Sequence, residues 1–253
     1  MKTVTVRNVE IGAGMPKICV PIVGENRESI LEQARAIKEL PADLVEWRVD
    51  HLNNVSSLSL LTVLTFLSEL RNELGDLPLL FTFRTKREGG EKSISPQAYL
   101  ELYRTILSSG LIDLLDVELF QGDEIVTKLL DEAHAKGVKV ILSSHDFQKT
   151  PPEEELLDRL DKMEDLGGDI LKIAVMPEDT KDLLTLLAVA EKSVSMFRQP
   201  VIAISMGSKG VLSRVAGEAV GSCMTFGSLG EGSAPGQMPV EELKEILEAL
   251  HRE

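Results

Sequence analysis

Eight short runs of β-forming apolar residues recur along the chain, and longer segments with helical spacing separate them. This alternation restricts the fold more than any other feature. The runs are Lys17 to Val23, Asp43 to Val49, Pro78 to Arg84, Ile112 to Leu119, Val138 to Ser144, Ile170 to Val175, Pro200 to Met206 and Cys223 to Phe226. Helical spacing marks Glu28 to Leu40, Pro96 to Leu107, Asp123 to Lys136, Glu153 to Leu166 and Lys181 to Phe197, with a last helix over Val240 to His251. Strand and helix in strict alternation make a parallel α/β protein, and eight repeats close on themselves as a (β/α)8 TIM barrel. A doubly wound sheet usually has fewer strands and a glycine-rich first turn, and no G-x-G-x-x-G follows the first run. Val4 to Ile11 alternate apolar and polar residues ahead of the first unit, so a strand or hairpin closing the barrel bottom is expected there.

A length of 253 residues suits one such barrel, and no linker, low-complexity stretch or shorter repeat divides it. Residues 1–253 are read as a single catalytic domain. With 43% hydrophobic and 27% charged residues the chain can bury a core, which argues against disorder. Its net charge of −14 repels phosphate backbones and anionic lipid, so neither nucleic acid nor a membrane surface is expected as a partner. An anionic substrate would then need a locally basic pocket. The longest uncharged stretch, Leu52 to Ser68, is too polar and short for a membrane span and reads as a buried helix. Met1 to Glu10 hold no apolar signal-peptide core, which points to a cytoplasmic location. Cys19 and Cys223 lie far apart in apolar runs and read as core residues rather than disulfide or metal partners.

In a barrel the C-terminal strand ends build the active face. Here those ends carry Glu46, Arg48 and Asp50, then Arg84, Glu118, His145 with Asp146, Lys172 within its strand, and Ser205. Alternate strand residues share a face, so Glu46 and Arg48 point together into the barrel mouth. Lys172 has apolar neighbours on both sides, where a lone ammonium is costly. An uncharged amine there can attack a carbonyl and form a Schiff base. The alternative is a structural ion pair with a carboxylate such as Glu118.

His145 stands at a strand end and titrates near neutrality, as a proton shuttle requires; His51 is its nearest rival, while His134 and His251 lie in helical or terminal segments. Glu88, on the loop after the third run, could orient the imidazole or be a solvated loop carboxylate. Arg48, Arg84 and Arg214 offer planar forks for a carboxylate or vicinal hydroxyls. Gly232 to Gln237, with Ser233 and Gln237 as neutral hydrogen-bonding groups, reads as a closing lid or as a plain connecting loop.

Taken together, Glu46-Trp47-Arg48-x-Asp50, Phe83-Arg84-x4-Gly89-Gly90-Glu91, Ser144-His145-Asp146-Phe147-x-Lys149-Thr150-Pro151, Lys172-Ile173-Ala174-Val175-Met176 and Ser233-Ala234-Pro235-Gly236-Gln237 resemble the type I 3-dehydroquinate dehydratases over essentially the whole chain. The resemblance implies a dimeric (β/α)8 barrel of the shikimate pathway that dehydrates 3-dehydroquinate without metal or cofactor. It implies that Lys172 is the Schiff-base lysine, His145 the general base and acid, and Glu88 the partner of that histidine. By the same resemblance Arg214 anchors the substrate carboxylate with Ser233 and Gln237, and Glu46, Arg48 and Arg84 contact ring hydroxyls. One departure is Pro21, at a first-strand position where some members carry a pocket serine; proline donates no hydrogen bond and within a strand implies a bulge or strand end. Two rival readings are a Schiff-base aldolase, separable by substrate, and a catalytically idle barrel that binds a small carboxylate.

Overall fold

The computed structural model describes residues 3–53, 59–230 and 232–251. Its first element is a hairpin of β1 (Val4–Val6) and β2 (Val9–Ile11), paired Val4 to Ile11 and Val6 to Val9. Val4, Val6 and Ile11 pack against Cys19, Leu44, Leu80, Leu114, Ile141, Ile170, Ile202 and Met224, which all face the barrel interior at its N-terminal end. The expected plug is therefore a hairpin. Arg7 fastens it from outside, donating from Nε to Asp113 Oδ1 at 2.7 Å.

Eight parallel strands follow among the described residues: β3 (Lys17–Ile22), β4 (Leu44–Arg48), β5 (Leu79–Thr82), β6 (Leu114–Glu118), β7 (Lys139–Asp146), β8 (Ile170–Val175), β9 (Val201–Ser205) and β10 (Met224–Phe226). They lie in the order β10-β3-β4-β5-β6-β7-β8-β9. A parallel bridge from Val201 to Ser222, with Cys223 N–H donating to Val201 O, joins β9 to the approach of β10 and closes the ring. The sequence runs overshoot most strands by a residue or two, because apolar residues continue past the last ladder bond. β7 does the opposite, extending two residues beyond Ser144 and so holding His145 within the strand.

Around the strands stand α1 (Arg27–Lys38), α2 (Leu60–Leu74), α3 (Pro96–Ser109), α4 (Asp123–Ala135), α5 (Glu153–Leu166), α6 (Thr180–Met196), the short α7 (Leu212–Val215) and α8 (Gly217–Val220), and α9 (Val240–Leu250). Side-chain caps set several starts: Asn26 accepts from Ser29 N–H, Ser59 from Thr62 N–H, Ser95 from Ala98 N–H, and Asp179 from Lys181 and Asp182 N–H. Each such cap contributes about 1 kcal/mol.

The buried helix expected over Leu52 to Ser68 is corrected. Residues 54–58 of it lie outside the described residues, and the helix that follows runs from Leu60 to Leu74. Val63, Leu67, Leu70 and Leu74 face the strands, whereas Leu61 is exposed, so α2 is a surface helix with one buried stripe. Its charged end past Ser68 belongs to the same element.

Pro21 sits inside β3 without a bulge. Lys17 N–H donates to Cys223 O, so the odd residues of β3 turn their backbone N–H groups toward β10. The last bond between the two strands is Gly227 N–H to Cys19 O, so the single bond that Pro21 cannot donate falls at the very end of the ladder. Cys19 and Cys223 are buried free thiols, as expected of core residues.

Candidate active site

The interior of the barrel changes chemistry along its axis. Apolar residues fill the bottom, and two positions later the same inward rows carry Glu46, Thr82, Asp116, Ser143 and Lys172, then Arg48, Arg84, Glu118 and His145. They open into a cavity of about 490 Å³, its mouth included, within the range of small-molecule sites. Nine of the residues singled out in the sequence line it, namely Glu46, Arg48, Arg84, Glu88, His145, Lys172, Arg214, Ser233 and Gln237, whereas Asp50, Glu118 and Asp146 do not. Gly89, Phe147, Ala174, Ile204, Met206, Phe226 and Ala234 complete the wall. Ser205 does not belong there, since it faces outward and its N–H bonds to Ser213 Oγ at 2.8 Å.

Lys172 is almost wholly buried, with Nζ 3.5 Å from Asp116 Oδ2 and 4.4 Å from the centre of the Phe226 ring. The carboxylate facing it is thus Asp116, not Glu118. Asp116 Oδ1 is held by Arg84 Nη2 at 2.8 Å and by the Ser143 hydroxyl at 2.6 Å. Burial opposes its charge, but Arg84, Lys172 and Ser143 outweigh it and hold the carboxyl below its usual range.

Glu118 instead belongs to Arg84, whose Nη1 donates to Glu118 Oε1 at 3.0 Å and to Ser143 Oγ at 3.1 Å and lies 3.7 Å from Glu88 Oε2. Arg84 lines the cavity, yet its guanidinium is engaged by three carboxylates of the protein. It is a hub of buried charge before any ligand arrives.

His145 Nδ1 lies 3.0 Å from Glu88 Oε2, and the same oxygen accepts the His145 backbone N–H at 3.0 Å. Nδ1 therefore carries the proton in the tautomer that leaves Nε2 free as a base. Burial, then Arg84, Lys172 and Arg48, hold the imidazole well below its ordinary value, so it does not titrate near neutrality as the sequence alone suggested. Burial and the Glu118 carboxylate push Glu88 up to about 8. A lone charge on either group is costly here. An imidazolium beside a carboxylate relieves both costs at once, which suits a pair that takes up a proton transiently.

Glu88 reaches His145 because its loop passes close under neighbouring groups. Gly89 adopts φ +84°, and a Cβ there would lie 2.2 Å from the Phe147 ring; one at Gly90 would lie 1.9 Å from Arg84 O. Larger residues would lift the loop. On the opposite wall, Arg48 forms a two-pronged pair with Asp50, Nε to Oδ1 at 2.9 Å and Nη2 to Oδ2 at 2.8 Å. Thr82 Oγ1 donates to Glu46 Oε1 at 2.8 Å.

Arg214 differs from the other buried cations in having no carboxylate within ion-pair distance among the described residues. Its Nη2 donates to Pro235 O at 2.9 Å, its Nε has no partner among the described residues, and burial lowers it to about 10. The segment from Gly232 to Gln237 lies over it: Gln237 Nε2 donates to Ser233 Oγ at 3.1 Å, Gln237 Oε1 accepts Ser233 N–H at 2.7 Å, and Gly207 N–H also reaches Pro235 O. Arg214, Ser233 and Gln237 form a polar, cationic corner fit for an anionic group.

Among the other histidines, His51 is partly buried outside the cavity lining, His134 meets Asp169 at 2.9 Å, and His251 meets Glu218 at 2.8 Å. No group of three His, Cys, Asp or Glu side chains arranged as metal ligands occurs among the described residues, and no described helix is long and apolar enough to cross a membrane. Sequence reading missed Asp116 and Phe226 beside Lys172. Asp116 was within reach, since it precedes Glu118 by two and must share its inward face.

The family model for type I 3-dehydroquinase matches residues 18–253. The chain is 47% identical over 252 residues to the 3-dehydroquinate dehydratase of Clostridioides difficile (strain 630), covering 99% of this chain and 98% of that one. It is 49% identical over 251 residues to the enzyme of the same name from Clostridium botulinum (strain Eklund 17B / Type B), with 99% and 98% covered. The crystal structure of the type I enzyme from Clostridium difficile with covalently modified comenic acid superposes with a TM-score of 0.95 over 99% of this chain and 98% of that one, at 47% identity. Family model, full-length relatives and barrel geometry agree, and the chain belongs to the type I 3-dehydroquinase family, the Schiff-base 3-dehydroquinate dehydratases of the shikimate pathway.

Proposed function

We propose that the cavity residues divide the dehydration of 3-dehydroquinate as follows. Lys172 Nζ attacks the ketone carbon, and the carbinolamine loses water to give an iminium ion. The iminium draws electrons, so His145 Nε2 removes a proton from the α-carbon and leaves an enamine. Glu88 stabilises the imidazolium that forms. The enamine then expels the β-hydroxyl, which leaves as water with the proton returned by His145. Water hydrolyses the conjugated iminium, releasing the enone and regenerating the amine. One water is taken up and two are lost, so the net change is loss of one.

Arg214, with Ser233 and Gln237, holds the substrate carboxylate, while Glu46, Arg48 and Arg84 meet the ring hydroxyls. Asp116 balances the iminium charge. The observation that carries this reading is the convergence on one cavity of a buried lysine, a histidine kept neutral and a buried arginine with no carboxylate partner among the described residues. Residues 1–253 act as one catalytic domain, in a cytoplasmic homodimer that needs no metal or cofactor; sedimentation analysis reads the oligomeric state.

The test is intact mass after mixing the protein with 3-dehydroquinate and sodium borohydride, followed by peptide mapping. A reduced adduct on Lys172 supports the sequence of steps. Ligand binding without an adduct overturns it and favours the idle barrel.

A further inference from the structure

Asp50 is wholly buried behind the cavity wall and has no part in the steps above. Each of its oxygens accepts two hydrogen bonds. Oδ1 takes Arg48 Nε at 2.9 Å and the Arg84 backbone N–H at 3.2 Å; Oδ2 takes Arg48 Nη2 at 2.8 Å and the Glu91 backbone N–H at 3.2 Å. Those two amides stand at opposite ends of the loop that carries Glu88. An ion pair with Arg48 alone would need neither of them. With both, the carboxylate spans the base of the loop like a tie, and Glu88 projects from the far side to His145.

We infer that Asp50 is a positioning residue for proton transfer: it ties Arg84 N–H to Glu91 N–H, fixes the loop between them, and so sets Glu88 against His145 Nδ1. It acts through that pair and not on the substrate. The inference rests on the proposed roles of His145 and Glu88. An asparagine is nearly isosteric but replaces one oxygen with an NH2 group, which would face one guanidinium nitrogen and one backbone N–H, donor against donor. The loop would then be released at one end, and a displacement near 1 Å at a reacting centre can cost on the order of 100-fold in rate.

The experiment compares the full-length enzyme with Asp50→Asn, Glu91→Pro, Glu88→Gln and the Asp50→Asn/Glu88→Gln double variant. Glu91→Pro removes the loop N–H, together with the Glu91 carboxyl and the freedom of φ there, and leaves the Arg48 fork intact. The expected result for Asp50→Asn is a fall in kcat of roughly 10- to 100-fold, with the acid limb of kcat/KM moved to higher pH as water reaches His145. Glu91→Pro shows the same changes in smaller measure with KM unaltered. In the double variant the loss is close to that of Glu88→Gln alone, as expected of groups acting in one chain. Borohydride trapping on Lys172 persists in Asp50→Asn. A folded Asp50→Asn enzyme with the wild-type kcat and pH profile overturns the inference, as does a multiplicative loss in the double variant. If Asp50→Asn does not fold, an unchanged profile in Glu91→Pro overturns it. Failure to trap Lys172 in the wild-type enzyme would instead strike the proposed function, so the two failures are distinct.

Discussion

Lys172 Nζ and Asp116 Oδ2 face each other at 3.5 Å, and that oxygen accepts no hydrogen bond from the described residues, while its twin is fixed by Arg84 and Ser143. One carboxylate oxygen is thereby spent on the scaffold and the other is left for charge on the lysine nitrogen. An iminium ion carries that charge through the reaction. Asp116→Asn is expected to lower kcat on the order of 100-fold, in the range seen when a group aimed at developing charge is lost. The amount of borohydride-trapped adduct should fall with it. Wild-type kcat in a folded variant would remove Asp116 from the mechanism.

Lys172→Ala should abolish turnover and trapping, since no other described lysine lines the cavity. The barrel should still melt cooperatively, because Asp116 keeps Arg84 and Ser143 as partners. Full activity in this variant would end the proposal.

Arg214→Ala removes the buried cation that has no carboxylate partner among the described residues. A charge-assisted hydrogen bond contributes about 1.5–3 kcal/mol, so KM should rise roughly 10- to 100-fold with a smaller change in kcat. Steady-state kinetics decide the point, and an unchanged KM would move the anchor elsewhere.

The pH profile follows from His145. Burial and the cations Arg84, Lys172 and Arg48 hold its imidazole well below 6.5, so the free base persists as pH falls from neutrality. The acid limb of kcat/KM is expected below pH 6.5. An acid limb centred at or above 6.5 would contradict the geometry. His145→Ala should lose at least about 100-fold in kcat, the lower end for a positioned acid or base.

Glu88 shifts the other way, and its sign affects stability. Its carboxyl stands at about 8 in the folded chain against 4.5 when unperturbed, so the fold binds more protons than the unfolded chain between those values. Its contribution to stability is complete below pH 4.5 and is lost as pH rises through 8. Melting temperatures of wild type and Glu88→Gln measured from pH 5 to 9 should diverge, the wild type losing ground with rising pH. Parallel curves would show that Glu88 keeps an ordinary carboxyl.

Much of this was legible in the chain itself. Eight apolar runs at regular spacing announce the barrel because parallel strands buried on both faces must be apolar along their length. Polar residues that interrupt those runs near their ends, such as Glu46, Arg48, His145 and Lys172, announce the cavity because the alternation of a strand leaves them nowhere else to point. Where the pattern was read by nearest neighbour, it misled. Glu118 seemed the natural partner of Lys172, and the stretch from Leu52 to Ser68 seemed a helix in its own right.

The sequence by itself determined the element order and the inward rows that carry Glu46, Arg48, Arg84, His145 and Lys172, because strand periodicity acts over a few residues; Glu88, Arg214, Ser233 and Gln237 came from loop composition and the family resemblance. The tertiary structure decided the pairings: Asp116 with Lys172, Glu118 with Arg84, and Asp50 with the two ends of the Glu88 loop. It also decided the direction of the titrations, down for His145 and up for Glu88. Pairing and titration depend on distances of a few ångströms between strands far apart in sequence, and on the exclusion of water from between them. Neither quantity exists until the barrel closes.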